Sequence, residues 1–153
     1  MKTITAICPG SFDPVTYGHL DIIHRAAAMF NKVIVVVASN SSKNCSFSPD
    51  ERVAMIKKCI PDLHNVEVEC FGGLLADYAA EKGATAIIKG LRAMSDFEYE
   101  FQMALTNSAL YDKIETVFIP SSAEFMFLSS SIVKEVAKYN GDLDALVPEE
   151  LVA

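Results

Sequence analysis

Apolar positions along the chain follow two rhythms that alternate. Lys2–Cys8 reads as a short apolar strand ended by Pro9-Gly10. Leu20, Ile23, Ala27 and Phe30 then recur at helical spacing, which predicts a helix from about Gly18 to Phe30. Val33–Ala38 is continuously apolar and β-branched, as a strand covered on both faces must be. The polar loop Ser39–Asn44 follows. Ser48-Pro49-Asp50-Glu51 has the form of a helix start: Ser48 caps, Pro49 takes the first helical position and Glu51 completes a capping box. That helix reaches about Ile60, before Pro61. Val66–Cys70 alternates, which predicts a half-exposed edge strand.

Leu74–Lys82 reads as a helix stopped by Gly83, and Thr85–Lys89 as a fourth strand. Ser95-Asp96-Phe97-Glu98 has the form of a second capping box and opens a long helix to about Tyr111. Thr116–Ile119 is a fifth strand stopped by Pro120, and Ser129–Tyr139 is a further helix with Gly141 after it. The acidic segment Asp142–Ala153 has room for one short helix. Strands and helices alternate throughout, with short loops. The order predicts an α/β fold: one domain over residues 1–153, a Rossmann-like doubly wound sheet of five parallel strands with helices on both faces. Such sheets bind ligands at the carboxyl ends of their strands, where the strand order reverses.

Composition narrows the class of partner. Apolar residues make up 51% of the 153, which excludes a disordered chain. The 13 Lys and Arg against 20 Asp and Glu leave a net charge of −7. That balance argues against nucleic acid or an anionic membrane as a general partner, without forbidding a local basic pocket. The longest apolar run, Val33–Ala38, falls far short of the roughly 20 residues of a membrane span. No secretory leader fits the N-terminal residues, so a cytoplasmic protein is expected. Cys8, Cys45, Cys59 and Cys70 show no metal spacing and are expected to be reduced and mostly buried.

The chemistry is expected in the loops that leave the strands. The first reads Gly10-Ser11-Phe12-Asp13-Pro14-Val15-Thr16-Tyr17-Gly18-His19. It is neither a dinucleotide-binding glycine fingerprint nor a Walker A loop. It nevertheless brings glycines to a helix start whose free N–H groups and positive dipole end suit a phosphate. His19, on the first turn, adds a side-chain donor. His24 and His64 lack such surroundings and read as structural. Lys43 lies in the second loop. Strand 4 ends in Lys89-Gly90-Leu91-Arg92, where Gly90 permits close approach and the two cations call for an anionic partner. Ser129-Ser130-Ser131 opens a helix with more hydroxyls than a cap requires. The sum is a polyphosphate pocket in an acidic protein. No acidic cluster forms an evident metal cage, so any Mg2+ would ride on the phosphates.

The first of these segments, Gly10 to His19, resembles the T/H-x-G-H signature of the nucleotidylyltransferase superfamily. Glu51-Arg52-Val53, Lys89–Ala93, Asp96-Phe97-Glu98-Tyr99-Glu100 and Ser129–Val136 narrow the resemblance to the bacterial phosphopantetheine adenylyltransferase family, from strand 1 to about Pro148. The resemblance implies reversible transfer of AMP from ATP to 4′-phosphopantetheine, giving dephospho-coenzyme A and pyrophosphate. It implies that Ser11, Phe12, His19, Gly90, Leu91, Arg92, Glu100, Phe125, Met126, Phe127, Leu128, Ser129, Ser130 and Ser131 contact ATP. Ser11, Lys43, Leu75 and Lys89 would contact phosphopantetheine. Lys89 stands where the family usually carries Arg, and so supplies a point charge without a bidentate fork. The resemblance further implies a homohexamer, Mg2+ as cofactor, and inhibition by coenzyme A.

The implied reaction needs no protein base. The acceptor is a phosphate monoester whose second ionisation lies near about 6. The obstacle is the approach of two anions, which cations and N–H donors must offset as charge builds on the α-phosphate. His19, Lys43, Lys89 and Arg92 are the catalytic candidates. Lys43 and Lys89 would hold the acceptor and His19 the α-phosphate. Arg92 and the Ser129–Ser131 helix start would hold the β- and γ-phosphates, with no covalent enzyme intermediate. Two alternatives remain at this level. One is a pyridine-nucleotide or glycerol-phosphate nucleotidylyltransferase; the other is a non-catalytic flavodoxin-like or receiver-like module.

Overall fold

A computed structural model describes residues 2–39 and 44–152, and within these every side chain but those of residues 94 and 95. Five strands form one parallel sheet: β1 (Thr5–Gly10), β2 (Lys32–Ala38), β3 (Val66–Phe71), β4 (Ala86–Leu91) and β5 (Glu115–Pro120). Their order is β3-β2-β1-β4-β5, so the direction of winding reverses between β1 and β4. Five α-helices connect or follow them: α1 (Tyr17–Met29), α2 (Pro49–Cys59), α3 (Leu75–Lys82), α4 (Met94–Leu110) and α5 (Ser130–Lys138). Single 3₁₀ turns lie at Ala123–Phe125 and Glu149–Leu151.

The period of two in the strands sorts side chains between two cores. Val33, Val35 and Val37 of β2 pack with Leu20, Ile23 and Ala26 of α1 and Ile56 of α2. Ile34 and Val36 point the other way, to Tyr78 and Ala79 of α3 and to Ile114. Because both faces are covered, β2 is apolar at every buried position. The edge strand β3 alternates as its sequence predicts: Val68 is buried, while Glu67 is exposed and ion-paired with Lys32 at 3.2 Å. A third cluster, of Leu128, Val133, Leu146 and Val147, seats α5 and the C-terminal segment beside Tyr17 and Phe125.

Several boundaries differ from the sequence reading. Strand β1 begins at Thr5, not Lys2, and continues through Pro9 and Gly10. It pairs with β2 along its whole length but with β4 only at Ala6 and Ile7. Pro9 has no N–H to give a ladder, and the sheet opens between β1 and β4 just there. Helix α4 starts at Met94 with Ala93 as N-cap and no side-chain cap, so the capping box read at Ser95 does not set its start. Asp96 in the first turn favours the positive helix end and pairs with Arg92 at 3.6 Å. The capping box of α2 forms as read, with reciprocal bonds between Ser48 and Glu51. The cysteines are free thiols, but only Cys8 is buried; Cys45 and Cys59 are half-buried and Cys70 is exposed. Cys70 lies near the end of the edge strand, where one face meets solvent.

Candidate active site

The opening between β1 and β4 leads into a cavity of about 620 Å³. Its walls come from the loop after β1, the ends of β2 and β4, one face of α4, and the start of α5. Ser11, Phe12, His19, Leu75, Lys89, Gly90, Arg92, Glu100, Phe125 and Leu128–Ser131 all line it. Leu91, Met126 and Phe127 were expected among them, but they are not on its walls; Met126 and Phe127 point to solvent. Lys43 lies outside the described residues. His24 is exposed and bonds back to the Leu20 carbonyl, and His64 is exposed, both away from the cavity. A shallower hollow beside Lys57 and Glu67–Glu69 gathers none of these groups.

His19 is the third residue of α1 and occupies the glutamate position of a capping box. The Thr16 N–H donates to its Nδ1 at 3.0 Å, and the His19 N–H donates to the Thr16 hydroxyl at 3.3 Å. An acceptor at Nδ1 places the proton of the neutral ring on Nε2. Burial, and then the positive charge of Arg92, push the imidazole down to about 4 from its ordinary 6.5. At neutral pH His19 is therefore an uncharged N–H donor. Its ring meets Phe12 edge-on, with centroids 5.0 Å apart.

The N-terminus of α1 offers fewer open donors than the sequence suggests. The Tyr17 N–H donates to the Leu146 carbonyl at 3.0 Å, and the His19 N–H is held by Thr16. The glycines also serve the fold before they serve a ligand. A Cβ on Gly90 would lie 2.9 Å from Ile22 of α1, so the close approach at Gly90 is that of a helix. A Cβ on Gly10 would lie 3.0 Å from the Phe12 ring, which is buried against that backbone. Phe12 itself has φ +49°, a left-handed conformation that costs a bulky residue about 1–3 kcal/mol.

The two cations at the end of β4 have protein partners, where the sequence suggested that a phosphate would supply them. Lys89 pairs with Glu100 of α4 at 3.2 Å. Arg92 pairs with Asp96 and donates to the Leu128 carbonyl at 3.2 Å. Both carboxylates line the cavity, so its walls carry acid as well as base. The spacing of Asp96 and Glu100 along α4 puts them over the strand end, a placement the linear sequence conceals. The serines divide their work: Ser129 caps α5 through the Ile132 N–H at 3.2 Å, and Ser130 donates to the Pro14 carbonyl at 2.8 Å. Cys8 also lines the cavity, but burial pushes its thiol up to about 12, so it stays protonated and unreactive.

Three residues to which the sequence reading gave no role complete the surroundings. Asp13 is buried, accepts from the Ser46 and Phe47 N–H groups at 2.8 and 2.9 Å, and pairs with Lys134. Burial opposes its charge, but these bonds outweigh burial and hold its carboxyl below the usual range. Asn107 of α4, 8% exposed, also lines the cavity. So does Thr116, whose Oγ1 is enclosed and has no hydrogen-bond partner among the described residues. Asp13 lies within the Gly10–His19 segment; for Asn107 and Thr116 the only signal is a polar residue on an otherwise apolar helix or strand.

Residues 7–136 match the family model described as cytidylyltransferase-like. Phosphopantetheine adenylyltransferase of Alkaliphilus metalliredigens is 57% identical over 143 residues, covering 94% of this chain and 91% of that protein. The enzyme of the same name from Geotalea daltonii is 56% identical over 143 residues, 94% of this chain and 89% of its own. That from Synechocystis is 53% identical over 148 residues, 97% and 93%. A solved structure assigned as a nicotinate-nucleotide adenylyltransferase from Vibrio parahaemolyticus superposes with a TM-score of 0.72 at 16% identity, covering 95% of this chain and 87% of that one. That likeness concerns the fold alone. Taken with the cavity at the switch point, the chain belongs to the cytidylyltransferase-like family, and within it to the phosphopantetheine adenylyltransferases.

Proposed function

We propose that this protein transfers the adenylyl group of ATP to 4′-phosphopantetheine, reversibly forming dephospho-coenzyme A and pyrophosphate. The observation that carries this reading is the convergence of His19, Lys89, Arg92 and the Ser129–Ser131 helix start on one cavity at the switch point. ATP enters as its magnesium complex. Among the described residues no group of three or more His, Cys, Asp or Glu comes together around a metal, and Asp96 and Glu100 are held by Arg92 and Lys89. The ion travels as part of the substrate, on the phosphate oxygens.

The acceptor phosphate is largely dianionic at neutral pH and attacks the α-phosphate directly. Lys89, at the strand end, offsets repulsion between the two phosphates. The neutral Nε2–H of His19 donates to the α-phosphate oxygen as negative charge builds there, in a dry site where such a bond is strongest. Arg92 and the first turn of α5 receive the departing pyrophosphate. Lys43 adds a second cation to the acceptor in this scheme, on the strength of the sequence. Asn107 and Thr116 meet the amide-bearing arm of the acceptor, since an enclosed polar atom without a partner is costly until a ligand supplies one. Both substrates are held in line, and no covalent enzyme intermediate forms.

The reading extends to one nucleotidylyltransferase domain over residues 1–153, acting in the cytoplasm as a homohexamer subject to inhibition by coenzyme A. Self-association is supported by Phe97, Phe101 and Leu105, an exposed apolar row along α4. No helix among the described residues is long and apolar enough to cross a membrane. Incubation with MgATP and candidate acceptors, followed by pyrophosphate release, tests the activity. Turnover with 4′-phosphopantetheine is expected; turnover only with nicotinate mononucleotide or glycerol phosphate would reject it. Native mass, with and without coenzyme A in the assay, tests the assembly and the inhibition.

A further inference from the structure

Arg52, in the first half of α2, is 2% exposed, yet among the described residues it has no carboxylate partner. Among the described residues its guanidinium bonds only to backbone carbonyls. Nε donates to Phe47 at 3.2 Å, and one terminal nitrogen donates to Ser11 at 2.7 Å and to Ala38 at 3.1 Å. A buried cation satisfied by neutral groups alone is an expensive way to fasten a helix. The three carbonyls belong to the loop after β1 (Ser11), the end of β2 (Ala38) and the loop before α2 (Phe47), and Ser11 and Ala38 both line the cavity.

The segment that Arg52 grips is fixed from its far side as well. Asp13 accepts from the Ser46 and Phe47 N–H groups and pairs with Lys134 of α5. Phe12 therefore sits between two anchored neighbours: the Ser11 carbonyl bound by Arg52, and the Asp13 carboxylate. It is held at φ +49°, its ring buried and edge-on to the His19 imidazole at 5.0 Å. Left-handed backbone at a bulky residue persists only where its surroundings over-determine it. Here the surroundings are Arg52 on one side and Asp13 on the other.

We propose that Arg52 is a positioning residue: by fixing the Ser11 carbonyl it holds Phe12 left-handed and, through the Phe12 ring, sets the imidazole of His19 against the cavity. The proposal rests on the reading of His19 as the donor to the transferring phosphate. Arg52 touches no substrate in this scheme. Its work is done on the ring that does.

The test uses the full chain with Arg52→Lys, Arg52→Met and Phe12→Leu. Lysine keeps the charge and the stem but lacks the planar fork that reaches all three carbonyls. Proton NMR reads the placement of the His19 ring against Phe12 through its ring-current shift, and steady-state assays read kcat and the KM for ATP. The parent is expected to show one set of shifted imidazole signals. Arg52→Lys is expected to move or broaden those signals while the Nε2-protonated tautomer persists, because Thr16 still bonds Nδ1. Its kcat is expected to fall by about 10–100-fold with little change in KM, as a small misplacement of a reacting group produces. Phe12→Leu is expected to reproduce the loss of kcat with Arg52 intact. If Arg52→Lys lowers the melting temperature but leaves the ring shift and kcat unchanged, Arg52 is only a tether and the proposal is wrong. If Phe12→Leu leaves kcat untouched, the relay through Phe12 is wrong. Should Arg52→Met fail to fold, the other two variants decide by the same readouts. A parent that releases no pyrophosphate would defeat the proposed function, while the His19 ring shift would still judge the positioning.

Discussion

The imidazole of His19 closes a capping box with Thr16, a place ordinarily filled by glutamate or glutamine. Thr16 N–H to Nδ1 at 3.0 Å fixes the tautomer, and His19 N–H to the Thr16 hydroxyl at 3.3 Å fixes the turn. One pair of bonds thus starts a helix and puts the donating proton on Nε2. A glutamate there would cap as well but would carry negative charge toward a phosphate.

Replacing His19 by alanine should hurt turnover more than binding. A donor that engages mainly as charge develops contributes to kcat, and the loss of one such group costs on the order of 10²–10³. The dissociation constant of ATP should change little. Rate assays beside calorimetric titration check this; a collapse of ATP affinity with kcat preserved would make His19 a binding residue.

The same histidine makes stability depend on pH with a definite sign. Its imidazole is lowered from 6.5 to about 4, first by burial and then by Arg92. Between those values the unfolded chain binds a proton that the native chain refuses, so stability falls as pH drops from 6.5 towards 4. At about 1.4 kcal/mol per unit the full loss is on the order of 3 kcal/mol. Asp13, lowered below 3.8, adds a separate loss at still lower pH. Denaturant titrations at pH 7 and pH 4.5 should differ in the parent and differ much less in His19→Gln. The acid limb of activity, near about 6, belongs to the acceptor phosphate and should survive that substitution.

Lys89→Arg should retain activity and Lys89→Ala should lose it. Arginine keeps the charge beside Glu100 and adds a second donor, whereas alanine leaves Glu100 facing two phosphates without a local cation. Steady-state rates of the two variants decide. An alanine variant with full activity would reduce Lys89 to an ion-pair partner of Glu100.

Thr116→Val should separate folding from acceptor binding. Thr116 Oγ1 is enclosed and has no partner among the described residues, so an apolar group of the same shape should leave stability unchanged or raise it. Affinity for phosphopantetheine should fall by the worth of one hydrogen bond, about 0.5–1.5 kcal/mol, with ATP affinity unaffected. Thermal melts and separate titrations of the two ligands measure both halves. Equal affinity for the acceptor would remove Thr116 from its site.

Local sequence determined the elements. The valines of β2, the Ser48–Glu51 box of α2, the alternation of β3 and the Gly83 stop of α3 each state a preference that short-range physics enforces. The alternation of strand and helix was enough to imply a parallel doubly wound sheet, and with it the rim where ligands bind. The loop ending in His19 and the Lys89–Arg92 segment were legible because glycine, hydroxyl and cation types cluster at strand ends. Tertiary structure alone decided what those groups do before a ligand arrives. Lys89 meets Glu100, Arg92 meets Asp96, the Tyr17 N–H meets Leu146, and Ile22 fills the space beside Gly90. Arg52 and Asp13 likewise show their purpose only in three dimensions, where α2, α5 and two loops close around Phe12. The reason is physical: propensity and patterning act within a few residues, whereas the partner of a charge or a buried N–H is set by which segments the fold brings into contact.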